Sequence, residues 1–453
     1  YIWIFSLAIF ISYILSPILS KVVFLYPMKN KKAIGLLFLA NIISGFAQGI
    51  SMIAIPWYFA DILGMSGTYA KGYAILTFFS LFWGIYSGTL IDRYSRKKLF
   101  LFSNLICAII IGSIASYGIV NGSTPWILAL TVFGTTMLHY NIHYPNLYAF
   151  GQEITEPKNY AKLNAYIEIQ GQSTSILAGG FAAFLLTGST DGTLNILGLK
   201  IPLPFSFTAW EIHEIFLMDA FTYLCAFIII LFINHVPVIQ KEIDKGSMFN
   251  RLYKGFSFLK ENPLLFIFGV CSYAIFTFLI VEIFVLLPSY VSYYLKEGAD
   301  IYASSEVYYS IGALFAGFGI RAITKKTDIV TSIIILMILT IITCLLLTFT
   351  KSVAILFAMS LLIGLCNAGT RILRITYIFE KVSNNIIGRS GSIFNSISIL
   401  IRTLMIILFS TPFFVSSENI RYGYLVGAAF LVIALIPLVK NRRKLKDLEI
   451  ISS

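Results

Sequence analysis

The sequence predicts an all-α membrane protein: twelve transmembrane helices in two six-helix halves. Three observations carry that prediction. Of its 453 residues 58% are hydrophobic and only 12% are charged, with a mean hydropathy of +0.85. A soluble domain carries about 25% charge, so the solvent for most of this chain is lipid. Apolar runs of the ~20 residues needed to cross a bilayer recur twelve times after residue 32. Finally, Lys and Arg are distributed unevenly among the connecting segments. On one side of the body 24 of them fall, on the other only Lys71, Lys200, Lys296, Lys351 and Arg421. Positive loops stay cytoplasmic, so both ends of the twelve-helix body are expected inside the cell membrane (inner or plasma).

In chain order the predicted spans are 33–56, 71–91, 99–119, 126–149, 163–187 and 215–235, then 264–290, 305–323, 329–349, 352–377, 390–412 and 422–439. The division predicted is 28–235 for an N-terminal half, 236–263 for a polar cytoplasmic central loop, and 264–453 for a C-terminal half with a basic tail. Residues 1–27 are apolar and precede Met28-Lys-Asn-Lys-Lys. They read as an extra N-terminal helix or an upstream extension, since no small-residue cleavage site comes after them. Residues 188–214, rich in Pro, Gly and aromatics, are expected to form a partly ordered lid between helices five and six.

The net charge of +12 belongs to these loops, which removes nucleic acid as an expected partner. Five cysteines, all inside apolar runs, read as small buried hydrophobes; none has metal-ligand spacing. No phosphate-binding loop of the form G-x-x-x-x-G-K-[ST] occurs and no catalytic constellation is visible. The expectation is a protein that is not an enzyme and needs no cofactor or resident metal.

One short stretch concentrates charge: "SGTLIDRYSRKKLF", residues 87–100, between helices two and three. Gly88, Leu90, Asp92, Arg93, Arg96 and Lys97 fit G-x-L-x-D-R-x-x-R-[RK], the loop pattern of major facilitator superfamily (MFS) transporters, which the chain resembles. The resemblance implies a gating role. Gly88 would let two helices approach closely. Asp92 would latch onto the N-terminus of helix eleven, where the dipole favours an anion and Ser390 and Ser392 would serve as N-caps. The cations would anchor the loop to anionic lipid. After helix eight, "GFGIRAITKKTD" (317–328) is a partial echo without the early aspartate.

Looser likenesses, "AIPWYFADILG" (54–64), "LNAYIEIQGQSTSILAGG" (163–180), "FLMDAFTYL" (216–224) and "GFSFLKENPLL" (255–265), resemble the macrolide-efflux and enterobactin-exporter (drug:proton antiporter) branch. The helix-five antiporter pattern G-x-x-x-G-P-x-x-G-G is broken here: Ser175 and Ile176 stand at its central glycine and proline.

Ionisable groups inside spans cost about 2.5–3.5 kcal/mol to insert, so each is a functional candidate. Glu282 in helix seven, Arg371 and Arg374 in helix ten and Arg402 in helix eleven suggest a network of one carboxylate and several cations. In it Glu282 would carry a proton and the arginines would bind anionic substrate or hold Glu282 ionised, with Arg374 alternatively snorkelling to the membrane edge. Glu168 is a second proton-carrier candidate. Asp219, read as opening helix six near the external face, is a third. In helix four His139 and His143 are spaced to share a face and could stack on a substrate, bind a transition metal or simply pack. Pro145 is expected to kink that helix. Asn41, Ser44 and Gln48 make a polar stripe on helix one.

These readings converge on a monomeric secondary active transporter that uses a proton gradient to export a hydrophobic or amphipathic small molecule such as a drug or siderophore. The arginines inside the spans tilt the expectation towards an anionic one. The alternatives are uptake or metal-linked transport, and a non-transporting membrane receptor.

Overall fold

The computed structural model describes residues 30–156, 159–189, 192–202, 205–234, 256–324, 327–382, 384–415 and 418–449. The extension 1–27 and most of the central loop lie outside them. Among the described residues twelve long helices run in order: α1 (Lys31–Trp57, continued by a π-helical turn Tyr58–Ile62), α2 (Ser66–Arg93), α3 (Arg96–Asn121), α4 (Trp126–Ile154), α5 (Tyr160–Thr187), α6 (Ile212–Leu231), α7 (Pro263–Leu295), α8 (Ala299–Thr324), α9 (Ile329–Phe349), α10 (Val353–Lys381), α11 (Asn384–Phe409) and α12 (Tyr422–Lys440). Among the described residues nine are long and apolar enough to cross a membrane. Large apolar side chains stand outward on them, Val120 at 83% exposure and Ile433 at 68%, which only lipid can solvate.

Several helices begin earlier than the apolar runs predict. Two polar starts explain most of the difference. A capping box of Glu211 and Glu214 opens α6, the Glu214 carboxylate accepting from the Glu211 backbone N–H at 2.8 Å; this satisfies donors that the first turn leaves free. The mixed, partly polar stretch "ADIYASS" (299–305) forms the first two turns of α8. Pro145 lies inside an unbroken α4. Between α5 and α6 a hairpin pairs β1 (Thr193–Ile196) antiparallel with β2 (Leu199–Pro202), so the expected partial order is there.

Two compact units divide the chain. Unit 1 comprises residues 1–55, 82–190 and 207–244, and unit 2 comprises 56–81, 191–206 and 245–453. In unit 1, α3 lies along α6 with Gly112 facing the Ala220 methyl. Its core gathers Leu37, Phe38, Phe100, Phe150 and Ile230. In unit 2, α8 and α10 press backbone to backbone. A Cβ added at Gly312 would stand 1.9 Å from the Leu361 carbonyl oxygen, and one at Gly364 2.0 Å from that of Tyr309. Small residues permit such contact where lipid on both sides supplies no hydrophobic drive.

Candidate functional site

The second unit places two carboxyls in its interior. Glu282 is 5% exposed and begins a π-helical turn, Glu282–Leu286, within α7. Such insertions break the regular ladder and are frequent at functional positions. The Tyr424 hydroxyl of α12 donates to Glu282 Oε1 at 2.8 Å. Glu306, half-buried two turns into α8, lies within electrostatic reach of Glu282. Tyr302 and Tyr309 of α8 surround the pair, and Tyr309 accepts from Asn367 Nδ2 of α10 at 2.9 Å.

Glu306 is absent from the sequence-based candidates. Read from the apolar run, it stands at the second residue of its span and looks like a loop edge. The true start at Ala299 puts it seven residues in. Asp219 is misread in the same way. It does not open α6 but sits seven residues past Ile212, with 0% exposure.

Two of the arginines have neighbours other than Glu282, while Arg371 shares Tyr309 with the Glu282 and Glu306 pair. Arg374 does not snorkel: at 5% exposure its Nη1 donates to the Ser272 carbonyl at 3.0 Å, and its guanidinium lies 3.7 Å from the Tyr273 ring centroid. Arg402 is next to Tyr73, and Arg371 is near Tyr309. Among the described residues the polar contact of Glu282 is Tyr424, a neutral donor.

In the first unit His139 and His143 are both buried, with ring centroids 5.0 Å apart. His143 Nε2 meets Asn41 Oδ1 at 2.6 Å, and these two, with Ser44, Phe100 and Asn104, line a crevice too tight for a water molecule. His139 stands edge-on to Tyr223 of α6 at 5.1 Å. Gln48 is buried and Ser44 bonds back to the Ala40 carbonyl. Glu168 is exposed and accepts from the Tyr148 hydroxyl at 3.0 Å. Among the described residues no three His, Cys, Asp or Glu side chains converge as a metal centre.

The charged loop is knitted into its own unit. Arg96 forms an ion pair with Glu153 of α4. Lys97 Nζ donates to the carbonyls of Leu231 at 3.0 Å and Ile233 at 2.7 Å, capping the carbonyl end of α6 where a cation suits the dipole. Of the expected lipid anchors, these two bind protein; Arg93 is exposed. A Cβ added at Gly88 would meet no described atom within 4 Å, and Leu90 is half-buried. Ser390 and Ser392 lie inside α11, which starts at Asn384, and are not its N-caps. The Asp92 side chain, the anionic part of the expected latch, lies outside the described residues.

Residues 56–81 join α7. Ser289 donates to Ser66 at 3.0 Å, the Tyr293 hydroxyl donates to the Ala60 carbonyl at 2.7 Å, and Ser292 donates to Asp61 Oδ1 at 2.9 Å. Trp57 stacks on Tyr302, and Tyr73 meets Phe284 edge-on. Neither the polar set nor the rings form a run in sequence, so no motif announces them.

Three comparisons bear on identity. The model of the Major Facilitator Superfamily matches residues 37–406. None of the curated proteins matches the chain in sequence. Solved structures match over nearly their whole length. A bacterial homologue of the iron transporter ferroportin, inward-facing, gives TM-score 0.67 at 12% identity, covering 90% of this chain and 98% of that one. A bacterial homologue of the human lysosomal transporter Spinster, inward-facing and unoccupied, gives 0.65 at 13%, covering 92% and 97%. The nucleoside transporter NupG gives 0.64 at 14%, covering 90% and 98%. At such identities the structural likeness establishes the fold, and the family match covers most of the chain: this protein is a multi-pass membrane transporter belonging to the Major Facilitator Superfamily.

Proposed function

We propose that the protein is a proton-coupled secondary transporter that exports a hydrophobic or amphipathic small molecule, with Glu282 as its proton carrier. The observation that carries this reading is the setting of Glu282. It is buried in a spanning helix, at a π-turn, with a second carboxyl nearby and a tyrosine hydroxyl for its partner. A carboxyl in apolar surroundings can take up a proton when buried and give it up when water reaches it. A carboxylate clamped by arginine would stay ionised and carry nothing.

Within the second unit, substrate contacts are assigned to the half-buried Arg371 and Arg402, which would favour an anionic group. Arg374 is withdrawn from that set because its contacts are those of a helix anchor. Glu168, exposed and already bonded to Tyr148, ranks behind Glu282 as carrier. The charge asymmetry of the loops supports a cytoplasmic location for both ends of the body. Uptake is the second reading; a D-xylose–proton symporter shares the fold at TM-score 0.62 and 11% identity, covering 89% of this chain and 96% of that chain.

The test is reconstitution in liposomes containing a pH dye, with macrolides, catecholate siderophores and other amphipaths supplied in turn. Substrate-triggered proton movement should appear in the wild type and fall at least ~10-fold in Glu282→Gln. Undiminished proton movement in that variant overturns the assignment of Glu282. Movement of labelled substrate with no proton flux overturns proton coupling itself.

A further inference from the structure

Five cations fall on the sparsely charged side of the body, where Lys and Arg oppose the bias that orients a membrane chain. Three of them, Lys296, Lys351 and Arg421, converge at one end of unit 2. Tyr294 organises the cluster. It is buried in the π-helical turn Tyr290–Leu295 that ends α7. Tyr290, one turn back, donates to the Leu347 carbonyl at 2.7 Å and fastens that turn to the end of α9. Lys351 Nζ and the Arg421 guanidinium both sit over the Tyr294 ring, 4.9 Å and 5.3 Å from its centroid, within the range of a cation–π contact. The charges are not balanced. Glu418 is shared by the two lysines, at 3.2 Å from Lys351 and 3.6 Å from Lys296. Glu297, next to Lys296 in sequence, forms no ion pair among the described residues. Arg421 has no carboxylate partner among the described residues: Nη2 donates to the Tyr422 hydroxyl at 3.0 Å, Nη1 reaches the Tyr294 hydroxyl at 3.4 Å, and Nε is buried with no partner. Apolar surface begins one turn further on. Leu425, Val432 and Ile436 of α12 are exposed, and the exposed Phe413 stacks on Tyr422.

We propose that Arg421, with Lys351 and Lys296, binds the phosphate of an anionic phospholipid in the leaflet on the sparsely charged side of the body. A guanidinium is weakly hydrated and grips phosphate oxygens through several N–H donors. The phosphate would supply the counter-charge that Glu418, already shared by the lysines, does not give to Arg421. The apolar face selects a lipid over a free anion: acyl chains attached to that phosphate would run along Leu425, Val432 and Ile436, whereas inorganic phosphate gains nothing from them. Tyr294 and Tyr422 are of the residue type that settles at headgroup level, one end apolar and the other wet. The site makes no use of Glu282 and does not depend on its role.

The test uses the purified full-length protein in detergent micelles doped with dioleoyl phosphatidylglycerol. Native mass spectrometry counts the lipid retained, and thermal unfolding reads its effect, since a ligand bound only by the folded state raises Tm. The wild type should retain one phosphatidylglycerol more than Arg421→Gln. The lipid should raise the wild-type Tm by about 2–4 °C, and the gain should at least halve in the variant. Basic segments elsewhere on the chain bind the same lipid equally in both proteins, so the difference between them isolates this site. Equal lipid counts and equal Tm gains in the two proteins overturn the proposal. Inorganic phosphate at the same concentration should give no gain; a gain that matches the lipid's and is lost in Arg421→Gln assigns the site to a free anion and overturns the lipid. Should Arg421→Gln fail to fold, Lys351→Gln replaces it. Its half-saturating lipid concentration should rise about 3–10-fold on loss of one charged contact, and an unchanged value overturns the proposal.

Discussion

Arg374 stands where α7 interrupts its own ladder. Two helical segments, Pro263–Ser272 and Ala274–Val281, meet at Tyr273, and the guanidinium both stacks on the Tyr273 ring and supplies a donor to the Ser272 carbonyl. Planarity lets the guanidinium lie flat on the ring while an edge N–H reaches the carbonyl, a geometry that a compact ammonium reproduces less well. Arg374→Met should therefore cost about 1.5–3 kcal/mol, the worth of a charged hydrogen bond, read as a lower Tm in detergent, and Arg374→Lys should recover only part. Single residues were also where the sequence misled. The charge of Glu306 and Asp219 is plain in the chain, but its depth is not. Depth depends on where the helix begins, and both helices begin in polar sequence that an apolar window does not count. Arg374 was legible as buried charge, yet its partners are a backbone carbonyl and a ring from another helix, which no spacing encodes.

At the scale of elements, α9 shows a start signal that composition alone would pass over. Asp328 is its N-cap: Oδ1 accepts from the Thr331 N–H at 2.8 Å and Oδ2 from the Thr331 hydroxyl at 2.6 Å, with Arg442 at 3.6 Å. Partial burial pulls its carboxyl upward, but the two bonds from Thr331 and the Arg442 charge outweigh it and leave the group below the usual carboxylate range. A depressed folded value means the cap stabilises at pH above the unfolded carboxylate range and is lost as pH falls through the folded value. Asp328→Ala should cost about 1 kcal/mol at neutral pH. The Tm difference from wild type should close once the medium is acid enough to protonate Asp328 in both states, and a gap constant with pH would refute the cap. The α8–α10 contact makes a sharper demand. Gly364→Ala inserts a methyl where carbonyl oxygen already stands, and should destabilise by about 1–3 kcal/mol or more, measurable as lower Tm or reduced folded yield; Gly84→Ala, with open space around it, should do neither. The twelve helices were legible from the apolar stretches at their centres, nine of which are long and apolar enough to cross a membrane among the described residues. The π-turns of α1 and α7 were not, because one extra residue in a turn changes no composition and only shifts the stripe beyond it.

Across the whole molecule, family membership was legible from six residues at 88–97, since their spacing and position between two spans are specific. Structure confirms the fold and adds a packing role for two of that loop's cations: Arg96 and Lys97 fasten α3 to α4 and to the end of α6. Lys97→Ala should therefore lower Tm by loosening the α6 carbonyl end, by about 0.5–1 kcal/mol, even in detergent free of anionic lipid; an effect seen only with anionic lipid would return the loop to membrane anchoring. Neither compact unit is a continuous stretch of chain. Residues 56–81 and the hairpin 191–206 are encoded before the central loop but belong to the same unit as the helices encoded after it. Trp57, Ser66 and Tyr73 cover faces of α7 and α8. A gene cut at the central loop would thus not yield two self-sufficient products. The fragment 245–453 made alone would emerge from the ribosome with those faces bare and be cleared by membrane proteases, and co-expression with fragment 1–244 would rescue it. In the intact protein, the second unit cannot finish folding from late-synthesised residues alone: two segments made long before must be held in reserve until their partners arrive.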